Sequence, residues 1–204
     1  MFAYICVKKT HCQRKDRLFI HPIIMKYSVE SILSQEATQK YIFFWGHQPT
    51  RDGSISSSCF SQWWESSFTE EDFVYRTAEH YMMIKKAELF GDHEVLSKMK
   101  VAKSPGELKK LGRLVKNFDA QLWDTNKYQI VKQANLLKFD QNESLRTFLL
   151  STKDRVIVEA SPLDSIWGIG LAKDHPDVMS PSKWKGENLL GFALMEVRDD
   201  LANK

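Results

Sequence analysis

Apolar side chains recur along most of the chain at intervals of three and four residues. That spacing aligns one face of an α-helix, which turns once in 3.6 residues. It predicts a helix from about Glu79 to Gly91, another over 93–101, and a long one over 120–139 with Leu122, Trp123, Ile130, Val131, Ala134 and Leu137 on one face. A last helix, from Leu189 to about Leu201, turns Leu190, Ala193, Leu194 and Val197 inward. Ser104-Pro105-Gly106-Glu107 opens a further helix, with Ser at the N-cap, Pro in the first turn and Glu placed for a capping box. Asn142 is expected to cap a helix through Leu149 and Leu150.

Two stretches read differently. Tyr41-Ile-Phe-Phe-Trp-Gly46 is a short aromatic run ending in glycine, and Arg155-Val-Ile-Val-Glu-Ala160 is β-branched; both predict strands. Residues 73–76 form a shorter extended segment leading into the Glu79 helix. Residues 47–58 read as a loop with a turn at Asp52-Gly53, and 161–187 as a series of turns marked by Pro162, Gly168, Gly170 and Pro176. For the aromatic stretch from Cys59 to Phe68, pattern leaves strand and irregular wall both open. The class is α+β and helix-rich. One domain is expected over 41–201. Residues 1–40 are expected to be a poorly ordered extension, with a short helix between Ser28 and Lys40.

Charge sharpens that division. Residues 1–29 hold six basic side chains and one acid, Asp16, while the remainder carries 23 basic and 25 acidic residues. The body is therefore not a nucleic-acid binder by bulk charge. The basic, acid-poor start puts its apolar residues before its charges, the wrong order for a secretory signal. It is compatible with an organelle transit peptide, or with a translation start at Met25. No apolar run reaches the roughly 18 residues that span a bilayer. Three cysteines, Cys6, Cys12 and Cys59, are widely spaced and odd in number, which points to a reducing, cytoplasmic setting rather than a disulfide framework. Cys6, His11, Cys12 and His21 match no common zinc spacing, so no metal site is expected.

Candidate chemistry concentrates in residues 73–90. Glu79, Met82, Met83 and Lys86 fall at i, i+3, i+4 and i+7, on one helix face. About 10 Å of helical rise separates Glu79 from Lys86, too far for a simple ion pair and suited to two ends of an anionic substrate. The same pattern also fits a carboxylate favoured by a helix N-terminus and a lysine reaching for solvent. Spacing alone leaves both readings open.

Six motifs then occur in order: Thr77-Ala-Glu-His-Tyr-Met-Met, Lys86-Ala-Glu-Leu-Phe-Gly-Asp92, Lys110-Leu-Gly-Arg113, Lys138-Phe-Asp-Gln-Asn142, Glu159-Ala-Ser-Pro-Leu-Asp-Ser-Ile-Trp-Gly-Ile-Gly170, and Gly186-Glu-Asn-Leu-Leu-Gly191 through Arg198. Together they resemble the YbiA-like N-glycosidases, or NADAR family, over about residues 41–201. The resemblance implies hydrolysis of a C–N glycosidic bond without a cofactor. The implied substrates are the ribosylaminopyrimidine 5′-phosphates of early riboflavin biosynthesis. A second branch of the family implies binding of ADP-ribose or its removal from modified bases, the one setting in which nucleic acid enters.

Carried onto this sequence, the resemblance implies catalytic carboxyls at Glu79, Asp164 and Glu159. Cleaving an N-glycoside builds positive charge at the sugar's C1 and ring oxygen, which a carboxylate stabilises, and the leaving nitrogen needs a proton. Apolar neighbours of Glu79 are expected to raise its pKa. Asp164 also fits a turn after Pro162, and Glu159 fits a residue that orients a partner. Phe44, Trp45, Gly46 and Tyr81 are implied as pocket wall. Lys86 and Arg113 are implied as phosphate partners, and Trp167 with Gly168 and Gly170 as a stacking surface for the base. A pure binder has no need of Glu79 and Asp164 together, so the residues favour an enzyme over a binding module or scaffold.

Overall fold

The computed structural model describes residues 25–35 and 39–204. The residues of the possible amino-terminal leader, with Cys6, Cys12, His11 and His21, lie outside that range. Among the described residues there are seven α-helices and four short strands: α1 Val29–Leu33, β1 Tyr41–Phe44, β2 Phe68–Glu70, β3 Phe73–Tyr75, α2 Ala78–Leu89, α3 His93–Val101, α4 Pro105–Gly112, α5 Ala120–Asp140, α6 Glu143–Ser151, β4 Val156–Glu159 and α7 Leu189–Ala202. The protein is α+β and helix-rich, as the periodicity predicts.

The centre is α7. Every residue from Leu189 to Arg198 is buried, so this helix is enclosed on all sides rather than amphipathic. It packs against α5 and β4, while α2 packs against α3, α4 and α5. β1 and β4 pair in parallel from Tyr41–Val156 to Phe44–Glu159. Parallel neighbours require a crossover, and here it contains β2, β3 and helices α2 to α6. Glycine permits two close approaches. A Cβ at Gly191 would lie 2.1 Å from the Ile157 carbonyl oxygen, where α7 meets β4. One at Gly112 would lie 2.3 Å from Met83 Sδ, where α4 meets α2.

Helix entrances follow the sequence with two exceptions. Ser104 Oγ accepts the Glu107 N–H as expected, but the Glu107 carboxylate reaches back to the Lys103 N–H instead of closing a reciprocal box. Asn142 stands at the entrance of α6 without capping it; its amide donates to the Ser67 and Lys138 carbonyls. The undecided stretch from Cys59 to Phe68 resolves into the second half of a 3₁₀ turn at Ser57–Phe60, an irregular segment and then the first residue of β2; the turn begins inside the segment read as loop.

The expected helix between Ser28 and Lys40 is confined among the described residues to α1, opened by a capping box between Ser28 and Ser31. This segment docks on the body. The Lys26 N–H donates to Glu196 Oε1 at 2.9 Å, Tyr27 Oη donates to Asp199 at 2.7 Å, and Ile32 is buried.

Candidate active site

A cleft of about 580 Å³ opens where α2, α4 and the loop after β4 converge. The face read from spacing is intact: Glu79, Met82, Met83 and Lys86 all line it. α4 adds Lys109, Gly112 and Arg113, and the exit of β1 adds Trp45, Gly46 and His47. Ser61, Gln62 and Trp63 form a wall beside Glu79. The far side is Glu159 with its loop residues Ser161, Leu163, Asp164 and Trp167, and Trp123 and Leu190 complete the lining.

Glu79 sits in the first turn of α2. Thr77 caps that turn by accepting the His80 N–H at 3.1 Å, and the Glu79 N–H donates to the Gln62 carbonyl at 2.9 Å. The side chain is buried. Burial pushes its pKa up to about 7, and the Asp164 charge adds to the rise, against the pull of Lys109, a hydrogen bond with Trp63, and Lys86. Glu159 ends β4 and is pushed further, to about 8, by burial first and then by Asp164, with Lys109 opposing. Its Oε2 is buried without a hydrogen-bond partner among the described residues. Asp164 holds its own loop: Oδ1 accepts the N–H groups of Ile166 and Trp167 at 2.9 and 2.8 Å, and its carbonyl accepts that of Gly170 at 3.1 Å. The turn reading of Asp164 is thus correct, and the same residue faces the cleft.

Cations occupy the opposite wall. Lys86 Nζ donates to the Gly112 carbonyl at 2.9 Å, at the C-terminal end of α4, where the helix dipole favours positive charge. It lies over the rings of Phe118 and Trp123, at 4.5 and 5.3 Å from their centroids. Burial lowers its pKa, and Glu79 opposes that shift. Lys109 and Arg113 are exposed on the same wall and enter no salt bridge among the described residues.

Eight of the residues singled out from sequence therefore meet in one cleft: Trp45, Gly46, Glu79, Lys86, Arg113, Glu159, Asp164 and Trp167. Phe44, Tyr81, Gly168 and Gly170 are not among its lining. Phe44 points into the core against Phe60. Tyr81 lies on another face of α2, where it packs on Phe68 and Tyr75 and donates to Glu70. Gly168 fits where a Cβ would stand 2.8 Å from the Glu159 carbonyl oxygen. Gly170 takes a positive φ of 65°.

Sequence reasoning missed Gln62, Trp63, Lys109, Trp123 and Ser161. Lys109 was findable: positions 109, 112 and 113 share a helix face by the argument that joins Glu79 to Lys86. It also missed two supports. Lys138 is fully buried, and its Nζ donates to the Cys59 and Ser61 carbonyls at 2.7 and 2.9 Å, fixing the turn that delivers Ser61, Gln62 and Trp63. Burial pulls its pKa down to about 7. Asn188, at the entrance of α7, makes no capping hydrogen bond with its side chain and instead clamps β4. Among the described residues no group of three or more His, Cys, Asp or Glu side chains is placed for a metal ion, and no helix is long and apolar enough to cross a membrane.

Fold and cleft together define an α+β domain whose carboxyls, buried Glu79 among them, face a cationic wall. The chain belongs to the NADAR domain family, whose domain matches residues 43–202. It is 44% identical over 168 residues to the N-glycosidase R617 of Acanthamoeba polyphaga mimivirus, a match covering 80% of this chain and 97% of the relative. It is 34% identical over 145 residues to the N-glycosidase Npun_R5314 of Nostoc punctiforme, covering 71% and 86%. The NMR structure of the E. coli protein YbiA superimposes with a TM-score of 0.64 at 26% identity, covering 82% of this chain and 88% of that one.

Proposed function

We propose that this protein, a hydrolase of N-glycosyl compounds, acts on ribosylaminopyrimidine 5′-phosphates and yields the free aminopyrimidine and ribose 5-phosphate. The observation that carries the reading is the pair of carboxyls, buried Glu79 and partly buried Glu159, with proton affinities raised into the neutral range on one cleft. Near neutral pH the more basic Glu159 keeps its proton while Glu79 is partly ionised. Glu159 gives that proton to the leaving nitrogen as the C1–N bond breaks. Asp164 and ionised Glu79 stabilise positive charge on C1 and the ring oxygen. Water adds to C1 and loses its proton to Glu79. One water is consumed, and the base leaves as a neutral amine.

The remaining walls suit the other parts of such a substrate. Trp167, Trp63 and Trp45 offer flat surfaces for a pyrimidine. Lys86, Lys109 and Arg113 offer charge to a phosphate. The cleft volume lies in the range of small-molecule sites. A second reading, release of ADP-ribose from a modified base, draws on the row of three cations, which has charge for more than one phosphate.

The test is to incubate the purified protein with a ribosylaminopyrimidine 5′-phosphate and, separately, with ADP-ribosylated guanosine, and to quantify free base. Faster release from the first supports the proposal. Release from the second alone replaces it with the second reading.

A further inference from the structure

We infer that Gln62 is a sugar-binding residue of this cleft: its side-chain amide donates to the hydroxyl on the carbon next to the reacting C1, so the site selects ribosyl over 2-deoxyribosyl compounds. The inference rests on the glycosidase reading above.

Gln62 is buried, with 8% of its surface exposed, yet it lines the cleft. Its Oε1 accepts Asn135 Nδ2 at 2.8 Å, and that same Nδ2 donates to the Val131 carbonyl at 2.9 Å. The second bond fixes the polarity of the relay. A backbone carbonyl can only accept, so the Asn135 group beside it must be the NH₂. The Gln62 atom facing that NH₂ must then be oxygen, which leaves Nε2 as a donor on the other side of the amide. Nε2 is buried and has no partner among the described residues. Buried donors in folded proteins are almost always paired, and an exception calls for a reason.

Three other buried side-chain atoms lack a partner among the described residues, Ser66 Oγ, Asn135 Oδ1 and Glu159 Oε2, and of their residues Glu159 is the one that lines the same cleft. One orphaned amide donor and one orphaned carboxyl oxygen are the complement of a hydroxyl, which accepts one hydrogen bond and donates another. Position picks the hydroxyl. The Gln62 carbonyl holds the N–H of Glu79, so its side chain belongs to the part of the cleft that addresses C1. The nearest sugar hydroxyl is the one on the adjacent carbon, where hydrogen bonds also strengthen as the sugar becomes cationic.

The test uses product analogues and needs no turnover. Binding of ribose 5-phosphate and of 2-deoxyribose 5-phosphate is measured by calorimetry for the parent protein, Gln62→Met and Gln62→Glu. Methionine keeps the volume and removes the donor. Glutamate keeps an oxygen for Asn135 and replaces the donor by an acceptor, so it reads the same bond if the methionine variant folds poorly. The parent protein is expected to prefer the ribose compound about tenfold, the worth of one well-made hydrogen bond, and both variants to lose that preference while binding the deoxy compound as before. Equal affinity of the parent protein for the two sugars, binding of neither, or a preference that survives in the variants overturns the inference. Base release by the parent protein, measured separately, decides the glycosidase reading, so the two fail distinguishably.

Discussion

Asn188 stands beside Glu159 where a neighbouring strand would be. Its Oδ1 accepts the Glu159 N–H at 3.0 Å, and its Nδ2 donates to the Ile157 carbonyl at 3.0 Å. One side-chain amide thus supplies the donor and acceptor of a ladder rung on the edge of β4 away from β1. It does so from a left-handed backbone, φ 55°, which asparagine tolerates better than most residues. The carboxyl at the end of β4 is aimed into the cleft by this clamp.

Removing the clamp should destabilise the protein. Asn188→Ala leaves two buried backbone groups unpaired, at a cost of roughly 3 kcal/mol. Asn188→Gly suits the positive φ but lacks the amide, so it should remain well below the parent protein in urea unfolding. A glycine variant as stable as the parent would show that backbone conformation, not the clamp, is what matters there.

Glu79→Gln should lower turnover by about 10²–10⁴ while leaving ligand binding largely intact, as expected for loss of an acid–base group. Rates within threefold of the parent protein would remove Glu79 from the mechanism. In the parent protein, kcat/KM should follow a bell whose limbs, near pH 7 and 8, belong to the Glu79–Glu159 pair rather than to either residue alone.

Asp164 and Lys109 should move that bell in opposite directions. The Asp164 charge raises both glutamate pKa values, so Asp164→Asn should shift the profile toward acid. Asparagine retains an oxygen for the Ile166 and Trp167 N–H groups, so the loop should hold. Lys109 lowers both values, and Lys109→Met should shift the profile toward alkali. Shifts of the same sign in the two variants would contradict the electrostatic account.

The raised carboxyls also set a stability trend. A carboxyl whose folded pKa is raised holds its proton more tightly in the folded state, so stability falls as pH climbs from the unfolded value through the folded one. For Glu159 that window runs from 4.5 to about 8. Glu159→Gln removes the effect and should gain on the parent protein by on the order of 3 kcal/mol between pH 5 and pH 9. Urea midpoints at the two pH values check this; a gap that stays constant would mean that Glu159 does not titrate in that window.

Lys86→Met should weaken binding of a phosphorylated ligand far more than of its dephosphorylated form. Methionine keeps most of the apolar stem and loses the ammonium that lies over Phe118 and Trp123 and donates to Gly112. Equal losses for both ligands would make Lys86 a structural tie to Gly112 and leave phosphate to Lys109 and Arg113.

Local repetition carried much of the fold in readable form. The positions of α2, α3, α5 and α7 follow from apolar spacing, and the face joining Glu79 to Lys86 follows from one helix turning every 3.6 residues. Such facts depend on residues within a turn or two of each other, so the order of side chains by itself determines them. The aromatic character of Phe44 and Tyr81 was equally plain, but their direction was not. Phe44 was drawn to Phe60 and Tyr81 to Phe68 and Tyr75, because each ring goes where distant segments leave apolar volume. Gln62 meets Asn135 across 73 positions and Lys138 meets Cys59 across 79, while Asn188 reaches β4 from about 30 residues downstream. Tertiary structure alone decided these pairs, and with them the proton affinities of Glu79 and Glu159. Desolvation and hydrogen bonding depend on which remote groups arrive beside a side chain, and no local spacing records that.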